Sequence, residues 1–559
     1  MDMFDAGRAP WTRDELLFVP LGGAGEIGMN LNLYGYGGKW VMVDLGVTFG
    51  AASPPGIEVV MPDPAFAEAL GRDLLGIVLT HAHEDHLGAI QYLWPRLRCP
   101  VWASPFTAAL LKRKLADNGL GAKVPITVVD LGSRFDIGPF GFEMVTLTHS
   151  IPEPSALAIT TPVGTVMHTG DWKFDPDPLI GSVSDEVALR RIGKGGVLAL
   201  VGDSTNAFVD GVAGSESEVR ASLIELVSRF PGRRVAVTCF ASNVARLESI
   251  AEAAAANGRR VALVGRSLHR IVEAAREVGY LRDIDFVDAD DIGYLPRGEA
   301  LVICTGSQGE PRAALARIAA DSHPDLSLEE GDVVVFSSRV IPGNEVAIGQ
   351  LQDRLIRQGL QILTDRDALV HVSGHPAREE LARMYALVRP RIAVPVHGEL
   401  RHMAEHARLA RACQVPHAVL AENGAVLRLG PGEPIVLDRV TAGRLGLDGH
   451  RLVKLEDDFV KDRQRVAENG AAVATLTYDV QGRLVGDPQV TLVGLDRTAT
   501  VPILVDGLRD AFAGASRVER QDPALLRESL EKTFRKLLRQ LCGSRPATVV
   551  HVTRVDVRT

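Results

Sequence analysis

Cysteine, aromatic rings, positive charge and long apolar runs are all in short supply in this 559-residue chain, and each shortage removes a class of protein. The five cysteines (Cys99, Cys239, Cys304, Cys413 and Cys542) are scattered, with no Cys-x-x-Cys pair. That speaks against a disulfide framework or a thiolate zinc site, and reduced, mostly buried thiols are expected. No stretch approaches the roughly 18 consecutive apolar residues of a membrane span. Met1 to Pro20 lacks a basic segment followed by an apolar core, so a cytoplasmic protein without membrane attachment is expected. Lys and Arg number 61 against 70 Asp and Glu, a net charge of -9 and the wrong sign for a protein held on nucleic acid by its overall field. Affinity for a polyanion must then be local. Aromatics at 5% leave few stacking platforms, which favours reading a strand through its backbone and predicts little base specificity. What remains, 46% hydrophobic and 23% charged residues, describes an ordinary globular chain long enough for three or four domains.

Histidine, by contrast, is concentrated. His81-Ala82-His83-Glu84-Asp85-His86 directly follows the apolar run Gly76 to Thr80, placing three imidazoles and an aspartate at a strand-to-helix turn. At the end of an extended strand His81 and His83 point the same way, while Asp85 and His86 open the following helix and reach towards a second ion. A solvated polar turn has no use for such a density of His and Asp. Three further strand-like runs end in the same chemistry: Glu143 to Thr148 before His149, Gly164 to Met167 before His168-Thr169-Gly170-Asp171, and Ile392 to Val396 before His397. With His168 read as a core or ligand-orienting residue, seven candidate metal ligands result: His81, His83, Asp85, His86, His149, Asp171 and His397. Two divalent cations with Asp171 bridging leave positions open for a shared hydroxide, the arrangement of two-metal hydrolysis. Their four positive charges against Asp85 and Asp171 make the cleft electropositive inside an acidic surface.

Along the chain, short strands with intervening helices run from Leu16 to about Gly202, as suits a sheet sandwich with outer helices. After Asp203 strand and helix alternate regularly to Gln358, the rhythm of a doubly wound parallel sheet. Ser215-x-x-Glu218 reads as a capping box, and Asn257-Gly258 as the end of an Ala-rich helix. His397 comes after this stretch, so the chain must return to its first domain to complete the metal site. The resulting segments are 1–209, 210–365 (inserted domain), 366–440 (return to the first domain), 441–463 (linker) and 464–559 (small α+β domain). The last reads strand, strand, helix, helix, strand; its final helix carries Arg527, Lys532, Arg535, Lys536 and Arg539, taken as a solvated face before an RNA-contacting one.

Several turns carry their own chemistry. Gly23-x-Gly25-x-x-Gly28 could pass for a dinucleotide fingerprint, but Asn30 to Tyr34 and Trp40 to Asp44 read as strand-turn-strand and offer no helix N-terminus for a pyrophosphate. Thr305 to Glu310 links a strand to a helix expected to begin at Pro311. Its amides and Ser307 suit a phosphate, as do Ser337 and Arg339 after the next strand, although a salt bridge is nearly as good a reading of Arg339. His371-x-Ser373-Gly374-His375 is read as another strand-to-helix turn. There His375 is the candidate for protonating a leaving oxygen or binding the scissile phosphate, against a helix-capping alternative. Asp203 is expected to orient the attacking water or a ligand histidine.

These motifs together resemble the metallo-β-lactamase superfamily and, within it, the β-CASP nucleases of the ribonuclease J group. The likeness is carried by Leu21 to Gly28, Asp44-Leu45-Gly46, the His81 to His86 cluster, His149 to Pro152, His168 to Lys173, Gly202 to Asn206, Phe240 to Asn243, Thr305 to Pro311, Ser373 to His375 and Pro395 to Glu399. The resemblance implies a metallo-β-lactamase αββα sandwich with an inserted doubly wound β-CASP domain and a small α+β C-terminal domain. By it His81, His83 and His149 hold one zinc, Asp85, His86 and His397 the other, and Asp171 both, with manganese or magnesium as substitutes. Asp203, His375 and His397 match the three β-CASP motif positions, and Ser373 and Gly374 belong to a pocket for a 5′ phosphate. It further implies 5′-to-3′ exonuclease and endonuclease action on single-stranded, preferably 5′-monophosphorylated RNA, in mRNA decay and rRNA maturation. A homodimer or homotetramer and a degradation complex with other proteins belong to the same expectation. A small-ester or thioester hydrolase and a DNA-processing β-CASP nuclease are rivals, as is a non-catalytic scaffold or RNA-binding module, which would be expected to have lost ligands. The first has no need of the insertion, and the second typically lacks a histidine at the position of His397.

Overall fold

Leu16, Leu17, Phe18 and Val19 are apolar at consecutive positions, a pattern that fits a strand covered on both faces. The strand Leu16–Gly22 is indeed buried throughout. The computed structural model describes residues 11–49, 54–498 and 500–556; residues 1–10 of the expected first segment and 557–559 of the last lie outside the described residues. The chain forms two units, 1–51 with 59–444 and 52–58 with 445–559.

In the first unit an eight-stranded sheet runs Ile435–Arg439, Ala425–Gly430, Leu16–Gly22, Leu31–Tyr36, Lys39–Val43, Leu74–Val78, Val101–Ala103, Ile126–Val128. A seven-stranded sheet runs Arg134–Ile137, Phe140–Thr146, Ser155–Thr161, Gly164–His168, Val197–Asp203, Pro390–Val396, His417–Ala418. One core joins them, with Phe18, Tyr34, Val43 and Val78 from the first and Phe142, Leu157, Val166, Val201 and Val394 from the second. At roughly 1.5–3 kcal/mol for each large apolar side chain fully removed from water, this shared layer holds the sheets face to face. A second core, including Met167, Leu200, Leu189 and Tyr385, seats the helices Glu186–Gly195 and Arg378–Val388 on the outside of the seven-stranded sheet.

The inserted domain is a six-stranded, wholly parallel sheet in the order Phe286–Val287, Arg260–Val264, Ala300–Cys304, Val235–Thr238, Val333–Phe336, Gln361–Leu363. The chain leaves the sandwich after Val197–Asp203 and comes back as that strand's parallel neighbour Pro390–Val396, with Val201 opposite Val394 and Asp203 opposite Val396. This register sets His397 next to Asp203 although an entire domain separates them in sequence.

The second unit contains a three-stranded sheet, Gln489–Val493, Ala471–Asp479, Ala547–Val555, with the helices Thr500–Gly514 and Pro523–Cys542 packed on one face through Leu504, Leu508, Leu530 and Phe534. On the long helix Lys532 and Arg535 pair with Glu528 and Glu531 one turn earlier, as on a solvated face. Within the residues expected as a linker, Arg451–Lys454 pairs with Arg444–Asp448 and the helix Asp458–Asn469 begins. Among the described residues no helix is long and apolar enough to cross a membrane.

The capping box at Ser215 and Glu218 and the helix end at Asn257 form as expected, and strand-turn-strand succeeds Gly28. Three local expectations are corrected. The helix after Thr305 begins at Ala314 and not at Pro311, because the side chain and carbonyl of Thr305 take the amides of Ala314 and Leu315 and leave 311–313 as a turn. No strand leads directly into His371 to His375: the carbonyl of Val370 accepts from Arg246 and Ser337 side chains in place of a ladder partner. The helix expected to open at Asp85 and His86 is two pieces, Glu84–Leu87 and Ile90–Leu97.

Candidate metal centre

The seven predicted ligands come from strand ends, the turns after them and, for Asp85 and His86, the short helix Glu84–Leu87, and the structure brings them together. One group is His81, His83, His149 and Asp171, and the other Asp85, His86, His397 and Asp171, each with its ligand atoms within 4.8 Å of one another. Asp171 is the shared member. Its Oδ2 lies 3.1 Å from His86 Nε2, 3.3 Å from His397 Nε2, 3.9 Å from His149 Nε2 and 4.0 Å from His81 Nε2.

Which nitrogen each histidine offers is decided by what holds the other one. His86 Nδ1 is 2.7 Å from Asp44 Oδ2, and His81 Nδ1 is 2.9 Å from Thr80 Oγ1, which in turn donates to Asp44 Oδ2. His397 Nδ1 donates to Asn30 Oδ1 at 3.1 Å, and His149 Nδ1 to the carbonyl of Gly374 at 2.5 Å. Four rings are thereby turned with Nε2 inward, while His83 presents Nδ1, 3.1 Å from His81 Nε2 and 3.0 Å from His149 Nε2.

The backbone is bent to make this possible. Asp44 and His397 both adopt left-handed conformations, with φ of 63° and 51°, an uncommon state for residues with a side chain and one found at functional sites. The loop after Asp44 clamps the ligand turn, Leu45 N–H donating to the His86 carbonyl at 2.6 Å and Val47 N–H to that of Glu84 at 3.0 Å. A Cβ at Gly46 would come within 1.7 Å of the Asp85 carbonyl oxygen, so only glycine fits there.

Electrostatically the two groups differ. Burial and the neighbouring histidines push His81 and His149 well below the usual imidazole range, and burial takes His83 down to about 4. At neutral pH these rings keep lone pairs, the form that binds metal. Burial opposes ionisation of Asp171 too, but His397 and His86 outweigh it and hold the carboxyl well below the usual range. Asp171 Oδ1 is buried without a hydrogen-bond partner. An orphaned carboxylate oxygen beside converging imidazole nitrogens fits divalent cations with borderline ligand preference, and the residues suit zinc.

The remaining predicted residues divide. His375 Nδ1 is 2.7 Å from Asp203 Oδ2 and 3.8 Å from Asp171 Oδ2, and its ring stacks at 5.6 Å on His397. It does not cap the next helix, whose cap is Ala377. Burial opposes a charge on His375, but the ion pair with Asp203 and the field of Asp171 overcome it and raise the imidazole to about 9. Arg339 is exposed, with Nη1 donating to Asn206 Oδ1 at 2.9 Å. The amide of Asn206 donates to Ser373 Oγ and to the His375 carbonyl, so this one side chain joins Arg339 to the His375 turn.

Ser337 is placed otherwise than expected. It is buried, its hydroxyl gives its one proton to the Val370 carbonyl and accepts from Arg246, and no proton is left for a phosphate. Ser307 is buried as well. Gly374 approaches His149 so closely that a Cβ would lie 2.7 Å from the ring, which gives this glycine a part in orienting a ligand.

Sequence reasoning missed the supports of the site. Asp44-Leu45-Gly46 contributed to the family likeness without a role for the aspartate, whose position after a strand and before a glycine was the signal. Asn206 ended one such motif without a role, and Asn30 had no signal beyond standing two residues after another. Arg246, fully buried, bonds Glu216 through Nε and Nη2 at 3.1 and 2.9 Å and the Ser337 and Val370 carbonyls through Nη1. On a helix of unknown surroundings it reads as a solvated arginine.

Comparison with known proteins agrees with the family drawn from the motifs. Residues 29–229 match the metallo-β-lactamase superfamily, 232–355 the β-CASP domain of ribonuclease J, 360–419 the Zn-dependent metallo-hydrolase RNA specificity domain and 458–555 the ribonuclease J C-terminal domain. The chain is 46% identical over 552 residues to ribonuclease J of Sinorhizobium meliloti, spanning 97% of this chain and 98% of that one. It is 37% identical over 547 residues to ribonuclease J of Mycolicibacterium smegmatis, spanning 97% of each. A solved structure of a protein of unknown function from Enterococcus faecalis V583 is similar in fold, with a TM-score of 0.52 at 17% identity, over 76% of this chain and 100% of that one. With four domain types in this order and near-complete relatives at such identity, the chain belongs to the ribonuclease J family.

Proposed function

We propose that this chain is a two-zinc ribonuclease that hydrolyses RNA phosphodiesters as a 5′-to-3′ exonuclease with endonuclease activity, preferring 5′-monophosphorylated single strands. The observation that carries the reading is the convergence of six ligand-type side chains on a seventh, Asp171, with His375 and Asp203 beside them. His81, His83 and His149 would hold one cation and Asp85, His86 and His397 the other, with Asp171 available to both; manganese or magnesium could take the place of zinc. When bound, such a pair supplies Lewis acidity and a water of lowered pKa.

The protein's own part is to place the scissile phosphate and move a proton. Asp203 holds His375 through Nδ1, so the proton that goes to the leaving 3′ oxygen is the one on Nε2. Arg339, whose guanidinium has donors beyond the one given to Asn206, contacts the phosphates together with Ser373. The buried Gly374, Ser307 and Ser337 act through their neighbours. The domain limits 1–209, 210–365, 366–440, 441–463 and 464–559, a cytoplasmic place in mRNA decay and rRNA maturation, and a homodimer or homotetramer within an RNA-degradation complex complete the proposal.

The test is incubation of a 5′-labelled single-stranded RNA and its DNA twin with the protein, with and without chelator. Release of labelled mononucleotide from RNA alone, abolished by chelation, is expected. Equal cleavage of DNA supports the DNA-processing rival, and hydrolysis of small thioesters without cleavage of either strand supports the other.

A further inference from the structure

Phe208 lies on the loop that follows Asp203, and 54% of it is exposed to solvent. A single exposed phenyl ring is ordinary. What sets this one apart is how firmly it is held and where. The carbonyl of Ala207 accepts from Arg378 Nη1 at 3.0 Å and that of Val209 from the Arg378 amide at 2.9 Å, so the backbone is pinned on both sides of the ring. The Val209 amide in turn bonds the Asn206 carbonyl at 2.8 Å. Two residues before Phe208, Asn206 joins Arg339 to Ser373 and His375.

Phe208 also has an aromatic brace. Its ring centroid is 5.5 Å from that of His402, with the planes at 71°. His402 stands five residues beyond the ligand His397. The close seat of its Cβ depends on Gly398, where a Cβ would lie 2.9 Å from that of His402 and 3.0 Å from that of Ser204. No hydrogen bond at His402 Nδ1 fixes the rotation of its ring. The loop thus places an open aromatic face two residues from Asn206, which holds Arg339 and the His375 turn, and against His402 on the helix that follows His397, in a chain poor in aromatic rings.

From this juxtaposition we propose that Phe208, braced by His402, is a stacking platform for a nucleobase of the substrate strand next to the scissile phosphate. The inference rests on the ribonuclease reading above. Any base has a face to stack, so the platform accepts all four and measures the presence of a base, not its identity. With its backbone hydrogen-bonded on both sides, the ring has less freedom to lose when a base settles on it.

The test crosses substrate with protein. Wild type, Phe208→Ala, Phe208→Leu and Phe208→Trp are assayed on a single-stranded 5′-monophosphorylated RNA and on copies with one abasic nucleotide at successive positions. In the wild type, one abasic position is expected to raise KM by roughly 5- to 100-fold, the range of a lost aromatic–base stack. Phe208→Ala and Phe208→Leu are expected to show that loss on intact RNA and no further loss at that position, while Phe208→Trp behaves as wild type. Leucine keeps apolar bulk and decides the matter where the alanine variant fails to fold. Independent, multiplying losses, or a wild type indifferent to every abasic position, would overturn the platform while leaving the ribonuclease reading intact. Absence of cleavage of intact RNA by the metal-loaded wild type would remove both.

Discussion

Asp203 Oδ2 and His375 Nδ1 lie 2.7 Å apart although 172 positions separate them in the chain. The aspartate ends a strand of the sandwich, and the histidine sits on the return from the inserted domain. Both belong to the sandwich segments, so the contact lies where the inserted domain leaves and rejoins them.

Removing either partner should therefore reach the chemical step before it reaches RNA affinity. His375→Ala and Asp203→Asn are each expected to lower kcat by about 100-fold or more, within the span of general acid catalysis, with smaller changes in KM. Single-turnover cleavage alongside equilibrium RNA binding checks this. Equal losses in both would make His375 a binding residue.

The same pair should appear in the pH dependence of the metal-free protein. Its folded imidazole, at about 9, is above the ordinary value of about 6.5. The charged pair thus contributes stability that is full below pH ~6.5 and is lost as pH rises through about 9. His86 is raised likewise, against burial, by Asp171, Asp85 and Asp44. Urea unfolding of the chelated protein between pH 6 and 10 is expected to show a declining stability whose slope is reduced, not abolished, in Asp203→Asn. An unchanged slope in that variant would refute the ion pair.

Metal content offers a check that does not depend on turnover. The wild type is expected to carry two zinc ions per chain, Asp171→Asn to lose both, and the double variant Asp85→Ala with His86→Ala to keep the ion held by His81, His83 and His149. Asp44→Asn, which touches no cation, should weaken metal affinity by roughly 10- to 100-fold, because it frees the His86 and Thr80 contacts that aim the rings. Elemental analysis after dialysis distinguishes these cases, and full zinc occupancy in Asp171→Asn would contradict the bridge.

Arg246 and Glu216 are both buried, with guanidinium and carboxylate in paired contact. Breaking such a pair on one side costs about 3–5 kcal/mol, because the other charge remains unpaired out of water. Arg246→Met is expected to destabilise by that order in chemical denaturation. Arg246→Met with Glu216→Leu should recover part of the loss while still leaving the Ser337 carbonyl without its arginine donor and the Val370 carbonyl with the Ser337 hydroxyl alone. A single variant as stable as wild type would show the pair to be dispensable.

Ligand chemistry was legible in the chain itself because metal ligation needs particular side chains, and strand ends advertise where they will be exposed. Seven His and Asp residues after apolar runs, the alternation beyond Asp203 and the late return to His397 were enough for the sandwich and the insertion, while the family came from the likeness of the motifs. The three-dimensional arrangement alone decided which ring nitrogen faces the metals, since Asp44, Thr80, Asn30 and the Gly374 carbonyl reach their histidines from other elements. It alone withdrew the Ser337 hydroxyl into the interior and gave Arg246 its buried partners. The physical reason is common to all of these: a hydrogen bond is fixed by distance and direction in space, and the strand register that sets Val201 against Val394 brings together groups whose separation along the sequence carries no trace of that contact.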